Sequence, residues 1–150
     1  MRRYLVVAND TLLGLPLTEE VRRRVEDAGG ECHVHLVVPA THGHGAWTEG
    51  GARARAARQL EHGEARYAGL GGAVVTGEVG DPSPVLAVGD AMLASKEPFD
   101  EVLVSTLALG RSRWLKQDVI HRLQRAHPDL RITHVAATPA GAVTGGARSG

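Results

Sequence analysis

Aromatic side chains are scarce in this chain: two tryptophans, two tyrosines and one phenylalanine among 150 residues. That is too few for a base-stacking platform on single-stranded nucleic acid, and Trp47 and Trp114 are read as packing residues at helix starts. The single cysteine, Cys32, excludes an intramolecular disulfide framework and a cysteine-rich zinc site, and fits a reducing compartment. Apolar runs are short, well below the roughly 20 residues that a bilayer-spanning helix requires. Net charge is also lacking, with 17 Lys and Arg against 17 Asp and Glu, so no global field gathers nucleic acid or anionic lipid. Any charged function is therefore local. The first residues run directly into a strand-like segment without a leader pattern, and the expectation is a cytoplasmic protein with no nucleic-acid partner and no membrane association.

What the chain does have is alternation. Five short runs rich in Val, Leu and Ile, at 4–8, 32–38, 73–79, 101–105 and 131–137, are separated by longer segments of helical period. Several runs are nearly continuous in apolar residues, as strands covered on both faces are. Four helices are predicted between them. The first carries Leu17, Val21, Val25 and Ala28 on one stripe, with Thr18 near its start and Gly29–Gly30 as its stop. The second buries Ala52, Ala56, Leu60 and Tyr67, leaving Arg53, Arg55 and Arg58 as a solvated basic face. The third begins at Asp81–Pro82 as cap and first residue, with Val85, Val88 and Met92 inward. The fourth starts near Ser112, buries Leu115, Val119, Leu123 and Ala126, and ends at His127–Pro128.

Right-handed crossovers leave few arrangements of this order, and the simplest is a doubly wound, five-stranded parallel sheet in one domain over residues 1–137. The remainder, 138–150, is poor in groups to bury and is expected to be disordered. If the chain winds outward from strand one and returns to its far side with strand four, a ligand crevice opens between those two, walled by residues 9–14 and 105–112.

Two segments there could carry chemistry. Gly110, Arg111, Ser112 and Arg113 open the fourth helix, where unpaired N–H groups and two guanidinium groups suit an anion; equally, Ser112 simply caps the helix. Asn9, Asp10 and Thr11 end strand one, where they bond either a ribose or base or the neighbouring amides of a turn. His33 and His35 share a strand face and His42 and His44 lie in a Gly-rich loop, but no carboxylate or thiol joins them at metal-ligand spacing, so no metal is assigned. No nucleophile elbow, Walker loop or dinucleotide fingerprint is present. Nothing in the spacing of Ser105, His121 and Asp10 marks a catalytic triad, and no catalytic residue is assigned.

Read in order, Leu5-Val6-Val7-Ala8-Asn9-Asp10-Thr11, His35-Leu36-Val37-Val38, Gly80-Asp81-Pro82 and Phe99-Asp100-Glu101-Val102-Leu103-Val104 resemble successive pieces of the universal stress protein family. The resemblance implies an adenine-nucleotide alpha-hydrolase-like, Rossmann-like fold with helices on both sheet faces. It implies ligand contacts at Asp10, which in the family's binders meets the adenine end, and at the backbone near Val38, with Ser105 and Thr106 on the opposite wall. The family's phosphate motif, Gly-x2-Gly-x9-Gly-Ser/Thr, falls on Ser105, Ala108, Asp118 and Val119, so every motif residue is replaced. A carboxylate about 4 Å from a phosphate would repel it by roughly 4 kcal/mol at an effective dielectric near 20. The chain is thus expected to be a divergent member, a regulatory or stress-response module without turnover that binds ATP, AMP or another small anion weakly, or a protein partner. The resemblance also implies a homodimer through the last strand, Arg131–Ala137. An enzyme acting on a nucleotide or phosphorylated metabolite at the same crevice, and a scaffold that binds only protein, are the alternatives.

Overall fold

The computed structural model describes residues 1–41, 48–107 and 112–137; the tail expected to be disordered lies outside the described residues. The strands are β1 (Arg2–Val7), β2 (Cys32–Pro39), β3 (Val74–Gly80), β4 (Glu101–Leu107) and β5 (Arg131–Ala137). Between them run α1 (Leu15–Asp27), α2 (Glu49–Ala68), α3 (Pro84–Ala94) and α4 (Ser112–Ala126). All strands are parallel, in the order β3-β2-β1-β4-β5, so the winding reverses between β1 and β4. This is a doubly wound, Rossmann-like α/β sheet.

Alternation along the strands divides the core in two. Tyr4, Val6 and Ala8, with Val34, Leu36 and Val38, pack under Leu17, Val21 and Val25 of α1 and Ala52, Ala56 and Tyr67 of α2. On the other face Leu5, Val7, Val37, Val102 and Val104 meet Ala87, Val88 and Ala91 of α3 and Val119 and Leu123 of α4.

The helix starts follow cap chemistry, with one correction. Asp81–Pro82 does not open α3: Ser83 is its cap, accepting from the Leu86 amide at 3.4 Å, and Pro84 is its first residue. Asp81 instead accepts from the Ser83 amide at 2.9 Å, a turn that feeds the helix. The same polar-residue–Pro pattern occurs twice in a row, and the second copy wins. The buried stripe of α3 shifts accordingly to Ala87, Val88 and Ala91, with Val85 and Met92 on its margin. Small residues there allow close seating on the sheet, since a Cβ at Gly80 would stand 2.9 Å from that of Ala87. Ala126, expected inward on α4, is exposed because the helix ends at that residue. On α1 the expected stop holds: Gly30 donates to Val25 O at 2.9 Å, and Gly29 and Gly30 take φ values of 65° and 82°, open to glycine.

Among the described residues, one charged group is buried at the amino ends of the strands. Glu101 of β4 accepts from Arg24 of α1 through both oxygens, at 2.8 and 2.9 Å, and from the Thr133 hydroxyl of β5. Arg24 also bonds Glu20 Oε1 at 2.8 Å, so α1, β4 and β5 meet in one network. Burial pushes the Glu101 carboxyl up, but bonds from Arg24 and Thr133 and the charges of Arg24 and Arg131 outweigh it, and it titrates below its ordinary value. A lowered carboxyl contributes stability at pH values above the unfolded-state pKa, and that stability is lost as pH falls through the folded-state pKa. Arg24→Met leaves Glu101 buried without its main partner, and urea unfolding at pH 7 is expected to show a loss of about 3 kcal/mol. The deficit shrinks as acidification neutralises the stranded carboxylate; a deficit independent of pH from 7 to 4 would contradict this account.

Candidate functional site

The point at which the winding reverses places the ends of β1 and β4 side by side, with the chain leaving them in opposite directions. Beyond β1 the backbone turns tightly, Leu12 N donating to Asn9 O at 3.1 Å and Gly14 N to Thr11 O at 3.0 Å. Leu12 anchors this loop in the core, and its carbonyl accepts from the buried Tyr67 hydroxyl at 2.6 Å. Burial pushes that phenol up to about 12, against the opposing effects of Thr18 and Arg66, so it stays protonated and keeps the loop tied to α2.

Three side chains of the loop then face three directions. Asn9 Nδ2 donates to Pro39 O at 2.5 Å and to Thr41 Oγ1 at 3.1 Å, bridging the ends of β1 and β2. Because a carbonyl only accepts, this bond assigns the amide nitrogen and leaves Oδ1 as an acceptor. Oδ1 is buried and has no hydrogen-bond partner among the described residues. Thr11, 2% exposed, shares a hydrogen with Ser105 of β4, 7% exposed, across 2.6 Å. This hydroxyl pair closes the floor between β1 and β4. Asp10 Oδ1 accepts from Arg55 Nη2 at 2.6 Å, the two side chains being 25% and 30% exposed.

Arg55 is the residue that reading the chain alone misplaced on the solvated face. Arg53 and Arg58 are exposed as expected, but Arg55 precedes the buried Ala56 and lies within the first turns of α2. A helix that follows a parallel strand begins at the carboxyl edge of the sheet. A long cation flanking the buried stripe so near that start can reach over the crevice, and this is the signal by which Arg55 was findable.

Of the other residues singled out, Val38 is buried in the core, leaving its backbone alone to meet a ligand. Gly110 and Arg111, and the side chains of Thr106, Ser112 and Arg113, lie outside the described residues. Asp118 is exposed and pairs with Arg122 of the next turn at 3.5 Å, which offsets part of its charge. His121 is exposed on α4 and bonds neither Ser105 nor Asp10, so the described residues assemble no triad. Cys32 is buried at the far end of β2 and burial pushes its thiol up, which opposes nucleophilic use. Among the described residues no group of three or more His, Cys, Asp or Glu is placed to hold a metal ion, and no described helix is long and apolar enough to cross a membrane.

The carboxyl ends of the strands thus carry a buried amide acceptor between β1 and β2, an Asp10–Arg55 ion pair and a hydroxyl pair between β1 and β4. Such groups orient and discriminate a polar ligand. A cleft of about 350 Å³ at the opposite end lies over the Arg24–Glu101 pair, where Arg2, Arg23 and Arg131 face Glu20, Asp27 and Asp100 and the charges cancel. No protein-family model matches the chain, and no curated protein matches it in sequence.

The hydroxyl pair can be tested by a double-mutant cycle. Thr11→Val or Ser105→Ala alone strands a buried hydroxyl and is expected to cost about 1–2 kcal/mol in denaturant unfolding. The double variant should cost clearly less than the sum; strict additivity would show that the two hydroxyls do not depend on each other.

Proposed function

We propose that this chain is a divergent binding module of the universal stress type, taking a small polar or anionic ligand of nucleotide class at the β1–β4 crevice without turnover. The observation that carries this reading is Asn9 Oδ1, a buried acceptor held at the switch point by two bonds from its own amide nitrogen. An unsatisfied buried acceptor costs about 1–3 kcal/mol, and an N–H or O–H donor on a ligand would recover it. A base amine or a ribose hydroxyl is such a donor. Asp10 and Arg55 stand beside it as an acceptor and a cation that exchange partners when a ligand enters. A role in a cytoplasmic stress response, and pairing of two copies through β5, belong to the same reading. The place of β5 at one edge of the sheet supports the pairing, since an edge strand offers unpaired backbone groups.

Calorimetric titration with AMP, and with ATP and Mg²⁺, tests the ligand. Binding of at least one nucleotide is expected, weakened about tenfold or more by Asp10→Ala, the loss of one charge-assisted hydrogen bond. Absence of binding by both nucleotides would remove the nucleotide reading. Light scattering after gel filtration tests the pairing: a dimer is expected, and a monomer at high protein concentration would remove it.

A further inference from the structure

A second polar cluster lies on the α3 side of the sheet, away from the crevice. It crosses three neighbouring strands, from Arg3 on β1 through His33 and His35 on β2 to Thr76 and Glu78 on β3. Its direction follows from the chemistry of its partners. Arg3 Nη1 stands 2.7 Å from His33 Nδ1, and a guanidinium only donates, so Nδ1 carries the lone pair and the neutral ring bears its hydrogen on Nε2. Nε2 donates to Thr76 Oγ1 at 2.6 Å, and that hydroxyl passes its one hydrogen to His35 Nδ1 at 2.6 Å. His35 Nε2 then donates to Glu78 Oε2 at 2.7 Å. Every hydrogen in the line has one acceptor, so the line runs one way only, with His33 neutral.

Arg3 is held at the head of this line and holds something in turn. Its Nη2 donates to the Ser95 hydroxyl at 2.7 Å, and its guanidinium lies 4.9 Å from the centre of the Phe99 ring. Ser95 caps the end of α3 and donates to Glu97 O at 2.6 Å. The main chain of Arg3 is tied to Asp100, its N–H donating to Asp100 Oδ2 at 2.8 Å, but its guanidinium has no carboxylate partner among the described residues, and its Nε is buried with no hydrogen-bond partner among them.

We propose that His33 is the sensor of a pH-dependent latch: neutral, it holds Arg3 against the end of α3; protonated, it expels the Arg3 side chain and loosens residues 92–97. A proton on Nδ1 would set N–H against N–H at 2.7 Å between two cations, and the flexible arginine is the one that can leave. The groups facing His33 are Arg3 from β1, His35 beside it at 6.1 Å between ring centres, Thr76 and Glu78 from β3, and Ser95, Lys96 and Glu97 after α3. Burial, then Arg3, then His35 hold its titration below the ordinary histidine value, against Glu97. His35 is a different case. Its ring bonds Thr76 and Glu78 and makes no bond to Arg3.

A ring that resists protonation in the closed state and takes a proton once open makes opening easier as pH falls below about 6.5, levelling off beneath the closed-state pKa. The test is an NMR titration of the full chain from pH 7.5 to 5, with amide exchange measured over the same range. The Arg3 Nε–H and Ser95 amide signals are expected to move with the His33 midpoint. Protection over 92–97, corrected for intrinsic exchange, should fall by up to about tenfold per pH unit. His33→Asn keeps an acceptor for Arg3 without a titrating ring and should abolish the response, whereas His35→Gln should retain it. Arg3 and Ser95 signals that stay still through the His33 midpoint would overturn the latch, as would a response surviving His33→Asn or lost in His35→Gln. If a variant does not fold, the titration of the unaltered chain decides alone.

Discussion

Because β1 lies between β2 and β4 with a helical layer on each face, none of its inner residues reaches water, and the rest of the molecule is arranged around that burial. Tyr4, Val6 and Ala8 must suit the α1–α2 side while Leu5 and Val7 suit the α3–α4 side, so both faces of one short strand are specified at once. A slip of one residue would exchange the two sets and carry Arg3 toward the wrong layer. The same burial explains where polar chemistry gathers. Around β1 there is no room for it, so it collects at the two ends of that strand and toward the β3 edge of the sheet.

At the carboxyl ends the polar groups are few and mostly committed to one another. Thr11 closes on Ser105, Asp10 on Arg55, and the Asn9 nitrogen on the end of β2. These bonds hold β1, β2 and β4 in register where the winding reverses, which is also where a doubly wound sheet leaves an opening. One group, Asn9 Oδ1, is buried and not served by the described residues.

The amino ends are built differently, from charges. Arg24 satisfies Glu101 with two parallel bonds and joins α1 to two strands. Arg3 has no such carboxylate among the described residues and is held by a neutral imidazole, a hydroxyl and an aromatic face. The contrast is one of sensitivity. A bidentate arginine–carboxylate pair persists until the carboxylate is protonated at acid pH, whereas an arginine held by imidazole depends on a ring that titrates below the ordinary histidine value.

Element order, parallel class and the apolar stripes were legible in the chain, because hydrophobic period and turn residues act over a few neighbours and need no knowledge of the fold. Helix ends at Gly29–Gly30 and the inward faces of α1 and α2 followed from the same local rules, as did the candidate loop at 9–11. What the chain alone misplaced depends on distance in space. Asp81–Pro82 and Ser83–Pro84 are equal as local signals, and the seating of Ala87 against Gly80 selects the second. Arg55 reads as surface charge until the start of α2 is set beside Asp10, 45 residues earlier in the chain. His33 and His35 read only as two histidines on one strand face until Arg3 on one side and Thr76 and Glu78 on the other give each nitrogen a partner. The sequence by itself therefore determined the order of the elements and most of the buried stripes, since burial follows largely from composition and period. Only the tertiary structure decided which polar groups meet, since a hydrogen bond requires its two atoms within about 3 Å and no local pattern encodes that approach between distant strands.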